Sequence, residues 1–299
     1  MKILTRENVI YKFDPSQKPA ITIESGDSVL VETEDCFSHQ VLSSGENFDT
    51  YFDYSRVNPA TGPIEIRGAE PGDTIEVEIS EIRLPSQGVI ATKNGWGPLG
   101  HKITRSLAKI VSITNASVAF TRDLLIPTRP MIGVIGTAPV DTPVPCNTPG
   151  SHGGNLDMRW ITEGAHVFLP VFVPGALLAL GDVHAVMADG EVGGTGVECR
   201  AEVLIRVFLH KYVYFPFPVV RYKNRCYFIN SAAELEQAIG QLVDKIVLLL
   251  QKKHGLQLEE AYMLASILAD IEICQIVNPL KTIRIAVPNN ILDFPIYLK

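Results

Sequence analysis

The chain has 299 residues, 46% of them hydrophobic and only 20% charged, with a mean hydropathy of +0.16 and a formal net charge of −7. This composition indicates a compact protein with a large core, and is the reverse of what a disordered chain shows. The acidic balance argues against a nucleic-acid partner, whose phosphates need clustered Lys and Arg.

No apolar run reaches the roughly 20 residues that cross a bilayer, and the start MKILTRENVIYKFD has no signal-peptide core. The sequence therefore predicts no membrane partner. Five dispersed cysteines form no CxxC pair and are typical of reduced thiols; they are Cys36, Cys146, Cys199, Cys226 and Cys274. Together these features predict a cytoplasmic protein.

Short β-type runs separated by turn residues fill the first two hundred residues. The turn at 25–27 precedes Ser28–Glu32, and the turn at 70–73 precedes Thr74–Ile82, where polar and apolar residues alternate strictly. Ile132–Gly136 is a further example. Many short strands of this kind predict a sandwich or a barrel.

The run Val197–Leu209 predicts a long strand that alternates at first and then becomes buried on both faces. After Pro218 the pattern changes. Ser231–Glu234 predicts a capping box that starts a helix ending near His254-Gly255. Leu258–Val277 predicts a second helix and Lys281–Val287 a closing strand. We therefore expect two domains, a β core over 1–215 and a smaller α/β appendage over 216–299.

The first chemically suggestive motif is SHGGNLDMR at 151–159. Its paired glycines allow the backbone to approach a ligand closely. His152 is a candidate metal ligand. Asp157 is a candidate ligand or catalytic carboxylate, and Asn155 a candidate for orienting a carbonyl or a water.

The second motif is GDVHAVMADGE at 181–191, and the glycine-rich stretch after it ends at Glu198. In an extended segment Asp182 and His184 share one face. Asp189 and Glu191 either share a face or fold back at the Asp189-Gly190 turn. Both geometries bring an imidazole and several carboxylates close together. Such a set suits zinc, or calcium when most of the ligands are oxygen atoms.

This chemistry predicts metal-assisted hydrolysis of an amide, with Glu191 as the general base or alternatively a ligand. Structural explanations compete with it at single positions. A lone histidine such as His152 is often bonded to backbone, Asp157 is equally suited to cap a helix, and Asn155 to support the glycine turn. Glu198 also fits an exposed strand position.

The two motifs together resemble the acetamidase/formamidase family. HGGNLD at 152–157 matches the family element HGGN(L/M)D, and Asp182, His184 and 189–191 match GDxHAxxxDGE, with the following GxGxE at 194–198. A weaker match, ETEDCFSHQ at 32–40, adds Asp35 to the candidate metal ligands, although a loop role for it stays open.

The resemblance implies a mainly β protein with a β-sandwich, jelly-roll-like core and a smaller C-terminal α/β portion. It also implies a small amide substrate such as formamide or acetamide, hydrolysed to ammonia and the carboxylate, a bound divalent metal, and a homo-oligomer. A hydrolase of larger or cyclic amides and a non-catalytic protein that binds a metal or small molecule remain as alternatives. The predicted metal ligands are His152, Asp182, His184, Asp189, Glu198 and Asp35, and the predicted catalytic residues are Glu191, Asn155 and Asp157.

Overall fold

The structure is a computed structural model that describes residues 2–213 and 215–292. Its first thirteen strands are β1 (Lys2–Leu4), β2 (Val9–Ile10), β3 (Lys12–Phe13), β4 (Ile21–Ile23), β5 (Ser28–Thr33), β6 (Gly45–Glu46), β7 (Ala60–Ile66), β8 (Thr74–Arg83), β9 (Gln87–Thr92), β10 (Leu107–Ile113), β11 (Ser117–Ala119), β12 (Leu125–Pro127) and β13 (Met131–Gly136). The later strands are β14 (Val144–Pro145), β15 (Gly153–Asn155), β16 (His166–Pro170), β17 (Leu178–His184), β18 (Glu198–Cys199), β19 (Ala201–His210), β20 (Val219–Tyr222), β21 (Arg225–Ala232), β22 (Asp270–Gln275) and β23 (Lys281–Pro288). The helices are α1 (Leu235–His254), α2 (Leu258–Leu268), α3 (Asn289–Leu292) and two short 3-10 helices at Tyr54–Arg56 and Gly100–Lys102.

Two large sheets organise these strands. The first has nine strands in the order β1-β5-β19-β8-β16-β20-β21-β23-β22. The second has twelve, with the central path β12-β11-β10-β9-β18-β17-β13-β15 and with β2, β4, β6 and β7 attached to it. Strands β3 and β14 form a separate pair.

The main hydrophobic core lies between the two sheets, as expected when each sheet has one apolar face. Val31 of β5 and Val77 of β8 come from the first sheet, and Ile64 of β7 and Leu180 of β17 come from the second. Alternation in β5, where every second residue is buried, places its valines on this inner face. The predicted mainly β fold with a smaller C-terminal α/β portion is confirmed.

The C-terminal helices cover the end of the nine-stranded sheet. Helix α1 packs Leu242 and Ile246 against Phe228 of β21 and Ile285 of β23, in a second apolar cluster. As predicted, it ends at His254, because Gly255 adopts the left-handed conformation (φ 68°) that stops a helix. No helix within 2–213 and 215–292 combines the length and apolarity required to cross a membrane.

Strands β20 to β23 continue the same sheet as β8 and β16. The division of the chain at residue 215 into two domains therefore stays a prediction. The sheet hydrogen bonds run across that boundary without interruption.

The predicted second helix, Leu258–Val277, is wrong in its second half. Helix α2 ends at Leu268, and residues 270–275 form β22 at the edge of the nine-stranded sheet. The segment DIEICQ has the alternation of a strand, and ion pairs from Arg225 to Asp270 and from Arg284 to Glu272 tie it to neighbouring strands. Tertiary pairing thus outweighs the helical propensity of the preceding residues.

Two further local predictions are corrected. The capping box at Ser231–Glu234 does not form, because Ser231 lies in β21 with its hydroxyl against that of Thr282, while a capping box does form at Gln257 and Glu260 of α2. The run Val197–Leu209 divides into β18 and β19, and its late part is not buried on both faces: Arg206 is exposed.

A buried carboxylate in the nine-stranded sheet contacts three basic side chains. Glu76 of β8 contacts His166 Nδ1 (2.7 Å), His210 Nε2 (2.6 Å) and Arg221 Nη2 (3.4 Å). Burial opposes ionisation, but hydrogen bonds and charge from the two histidines outweigh it and lower the pKa of Glu76 to about 2. The group therefore stabilises the fold above its unfolded pKa of 4.5, and this contribution is lost as the pH falls from there towards 2.

We predict that Glu76→Gln lowers the free energy of unfolding by about 1–3 kcal/mol at neutral pH, because the two histidines and Arg221 lose their carboxylate partner. Urea unfolding at a series of pH values measures the effect, which should shrink below about pH 4. The partly exposed Glu81, which pairs with Arg83, is the control; Glu81→Gln should leave stability close to that of the wild type. Equal losses in both variants would contradict the prediction.

Candidate active site

Four adjacent strands of the twelve-stranded sheet bring the two sequence motifs together. His184, the last residue of β17, lies opposite Glu198 in β18. On its other side β17 pairs with β13, which pairs with β15, the strand that ends at Asn155. Asp157 follows two residues later. Two motifs about thirty residues apart in sequence therefore meet across these four adjacent strands.

One imidazole and four carboxylates meet at this point. His184 Nε2 lies 3.1 Å from Glu198 Oε2, 3.5 Å from Asp182 Oδ1 and 4.0 Å from Asp157 Oδ1. Ligand atoms of Asp157, His184 and Glu191 all lie within 4.8 Å of one another. The five residues are buried, with Glu191 the most exposed at 7%. We call this group the carboxylate cluster.

Asparagine amides line one side of the carboxylate cluster. Asn58 Nδ2 donates to Asp182 Oδ2 (3.1 Å), and Asn278 Nδ2 donates to Asp157 Oδ2 (2.6 Å). With its amide oriented to suit these neighbours, Asn155 donates to the same two carboxylates at 2.9 and 3.2 Å. These donors compensate part of the cost of burying negative charge.

Backbone strain is concentrated in the same place. Asp157, Asp182 and Glu191 all have left-handed backbone conformations, with φ of 44°, 54° and 47°. Such conformations cost a non-glycine residue on the order of 1 kcal/mol or more, and they tend to occur at functional sites.

Two glycines leave the room that the cluster needs. A Cβ on Gly133 would lie 2.6 Å from Asp157 Oδ1 and 2.7 Å from Asp182 Oδ2, and one on Gly196 would lie 2.6 Å from His184 Nδ1. The absence of a side chain at both glycines therefore allows the backbone to pack closely against these polar groups.

Burial and mutual repulsion raise the pKa of three of these carboxyls. Burial, followed by the charge of Asp157, raises the pKa of Glu191 well above its usual value. Burial raises the pKa of Glu198 to about 8, despite the opposing effect of His184. Burial and the charge of Asp182 raise the pKa of Asp157 to about 6.

Asp182 and His184 behave as the charged pair within the cluster. Burial disfavours the charged form of each, but nearby opposite charge outweighs it: that of His184 for Asp182, and that of Glu198 followed by Asp182 for His184. The pKa of Asp182 is therefore lowered, and the pKa of His184, which also feels the charge of Glu198, is raised well above its usual value.

The donor set fits a divalent cation. Asp182 Oδ1 and Glu198 Oε2 lie 3.5 and 3.1 Å from His184 Nε2, but these buried acceptors have no well-aligned hydrogen bond among the described residues. Atoms of Asp182, Glu198 and Cys36 also lie within 4.8 Å of one another, a separation that ligands of one ion share when each is about 2.0–2.5 Å from it. Clusters of residues able to hold a metal are thus present.

Three of the predicted metal ligands lie outside the carboxylate cluster. The His152 ring packs edge-on against Phe13 at 5.2 Å, and burial lowers its pKa to about 4. Both carboxylate oxygens of Asp189 bind the guanidinium of Arg284. Asp35 Oδ1 accepts from the backbone of Phe37 and His39. Asp189 and Asp35 thus have partners other than a cation, whereas His152 Nε2 is buried without a hydrogen-bond partner among the described residues.

A cavity of about 220 Å³ opens onto the cluster. Its polar side includes Asn58, Asn155, Asp182, Glu191 and Glu198, and Asn278 reaches it from the C-terminal region. The aromatic side chains of Phe37, Phe52, Tyr54 and Trp96 also line the cavity. The volume is below the roughly 300–1,000 Å³ typical of sites for drug-sized ligands, so the cavity suits a small molecule.

The model of the Acetamidase/Formamidase family matches this chain over residues 3–145 and 142–294. The chain belongs to the acetamidase/formamidase family. A predicted acetamidase/formamidase from the thermophile Thermoanaerobacter tengcongensis has a solved structure that superposes with a TM-score of 0.95 and 45% identity, covering 98% of this chain and 97% of that one. An acetamidase from Bacillus halodurans superposes with a TM-score of 0.93 and 42% identity, covering 96% and 97%.

Among curated members of the acetamidase/formamidase family, a putative formamidase of Schizosaccharomyces pombe is 26% identical over 259 residues, 67% of this chain. A formamidase of Methylophilus methylotrophus is 25% identical over 258 residues, also 67% of this chain. In each case the chain spans 63% of the relative's length. A gamma lactamase from Delftia acidovorans, with 20% identity over 96% of this chain and 90% of that one and a TM-score of 0.67, shares the fold alone.

Sequence reasoning missed several residues at this family member's site. Asn58, Asn278 and Gly133 lie outside the two motifs, and the sequence alone does not indicate their place at the site. Cys36, predicted to be an ordinary reduced thiol, contacts the cluster, and burial raises its pKa well above the usual value. The left-handed φ of 48° at Asn58 is a conformation that asparagine tolerates, but only the fold shows what its amide binds.

We predict that Gly133→Ala disrupts the cluster, because the added methyl group would overlap two carboxylates. The expected cost is about 1–3 kcal/mol of stability, as for overpacking elsewhere. Gly240→Ala is the control, since a Cβ there meets nothing within 4 Å on helix α1; it should stabilise the protein by about 0.5–1 kcal/mol. Thermal unfolding of both variants measures this, and an unaffected Gly133→Ala would refute the packing argument.

Proposed function

We propose that this protein is a metal-dependent amidohydrolase that cleaves short aliphatic amides, such as formamide and acetamide, to ammonia and the carboxylate. The observation that carries the proposal is the carboxylate cluster at the floor of a small cavity. The names of the similar proteins, acetamidase and formamidase, agree with this chemistry.

Within this proposal Asp157, Asp182, His184 and Glu198, with Glu191 as an alternative ligand, hold a divalent ion, zinc or calcium. Their oxygen-rich set with one imidazole is compatible with both metals. When bound, such an ion polarises the amide carbonyl and acidifies a water molecule. The positive charge of such an ion would also relieve the repulsion among the buried carboxylates.

The chain's own groups perform the proton transfers in this proposal. In its ionised form the Glu191 carboxyl, whose pKa burial raises well above its usual value, accepts a proton from the attacking water and returns it to the amide nitrogen. The water oxygen bonds to the carbonyl carbon, the carbon–nitrogen bond breaks, and ammonia leaves. Asn155, whose amide faces the cavity, orients the substrate carbonyl or the water.

The dimensions of the cavity favour small substrates. A cavity of about 220 Å³ with aromatic and polar lining residues has room for a small amide that carries a short acyl group. Larger and cyclic amides are the alternative substrates, and a non-catalytic binding role is the alternative function.

We predict that Glu191→Gln abolishes ammonia release from formamide and acetamide while the fold is retained, because the isosteric amide cannot accept the proton. The assay compares the two small amides with larger and cyclic ones. Glu163→Gln is the control, since the Glu163 carboxylate accepts from the backbone of Ile82 and is not part of the cavity lining. Near-normal turnover by Glu191→Gln would remove this residue from the mechanism, and turnover of larger amides alone would reassign the substrate.

We predict that His184→Ala lowers the amount of zinc or calcium bound per chain, because the imidazole is the only nitrogen ligand in the proposed set. Elemental analysis after dialysis against each metal measures the bound metal. In the wild type, chelation should abolish amide hydrolysis, and adding the metal back should restore it. His101→Ala is the control, since His101 is exposed. Unchanged stoichiometry in His184→Ala would refute the ligand assignment, and stoichiometric binding without any hydrolysis would favour the binding-protein alternative.

The proposed homo-oligomer has support from surface residues of α2. Met263 and Ile267 lie one turn apart on this helix and are 64% and 82% exposed. Exposed apolar side chains grouped in this way are typical of protein interfaces. The cytoplasmic location stays a prediction.

A further inference from the structure

The turn that carries Glu191 is held from the C-terminal region. Asp189, two residues before Glu191, receives both terminal nitrogens of Arg284: Nη1 to Oδ1 at 2.9 Å and Nη2 to Oδ2 at 2.7 Å. Arg284 lies in β23 with no exposed side-chain surface. A bidentate pair fixes the orientation of a carboxylate as well as its position.

The backbone of the same turn is fixed too. Gly190 donates its N–H to the carbonyl of Cys274 in β22 (2.8 Å) and accepts from the N–H of Ile276 (3.2 Å). Glu191 follows at once in a left-handed conformation that the rest of the structure must impose. The carboxyl group of Glu191 lies within 4.8 Å of ligand atoms of Asp157 and His184.

Arg284 has a second carboxylate partner that does not touch this turn. Its Nε donates to Glu272 Oε2 at 2.6 Å, which joins β22 to β23 at the sheet edge. Asp189 and Glu272 thus bind the same guanidinium and have similar side-chain exposure, 27% and 31%. Only Asp189 is connected to the turn of Glu191.

We propose that Asp189 and Arg284 are a positioning pair that holds the Glu191 carboxyl against Asp157 and His184. The pair contacts neither substrate nor reacting atoms, and acts through the turn at 189–191. This inference rests on the proposed role of Glu191 in amide hydrolysis. It also assigns Asp189 a task other than metal ligation.

The test compares Asp189→Asn with Glu272→Gln, which each remove one carboxylate charge from Arg284. Asp189→Asn also removes the charge that faces Arg159 Nη2 at 3.0 Å. Asp189→Asn should lower kcat for formamide or acetamide about 10- to 100-fold with KM changed less than about threefold, because a displaced catalytic group costs rate more than binding. Glu272→Gln should leave both constants within about threefold of the wild type. Hydrogen exchange in the peptide over 188–194 should accelerate only in Asp189→Asn.

Several results would overturn the positioning pair. Asp189→Asn with unchanged kcat, a change in KM alone, or equal losses in the two variants would each do so, the last because it marks a general structural role of Arg284. If the wild-type protein hydrolyses no amide, the proposed function fails instead. Hydrogen exchange then still decides whether Asp189 holds the turn, because it needs no turnover. A loss of thermal stability shared by both variants is expected and is measured separately.

Discussion

Burial of four carboxylates around one imidazole is the constraint on which the rest of this structure depends. Bringing negative charges together away from water is unfavourable unless protons, hydrogen-bond donors or a cation compensate. Three asparagine amides and His184 provide part of that compensation within the described residues. Asp182 Oδ1 and Glu198 Oε2 have no well-aligned hydrogen bond among the described residues, and the proposed cation would compensate them.

The twelve-stranded sheet makes this arrangement possible at a tolerable cost. Strands β18, β17, β13 and β15 lie side by side, so polar groups at their ends converge without a long loop. Gly133 and Gly196 provide the space, and three residues accept left-handed backbone conformations. The surrounding apolar sandwich stabilises the fold enough to carry that local strain.

The C-terminal portion belongs to the site and does more than pack against the core. Asn278 donates to Asp157, Arg284 binds Asp189, and β22 bonds the backbone of Gly190. Residues 277–279 line the cavity. A family model that matches both halves of the chain is consistent with a site to which both halves contribute.

The sequence alone determined the mainly β fold, the first C-terminal helix and its end at Gly255, and the two motifs that meet at His184. These features depend on local alternation, turn residues and short spacing, which a single sequence displays. Tertiary structure alone decided that 270–275 is a strand, that Asn58, Asn278 and Gly133 surround the carboxylates, and that Asp189 binds Arg284. Each of those outcomes depends on a partner far away in sequence, and the energy of such a contact cannot be assessed before the fold is known.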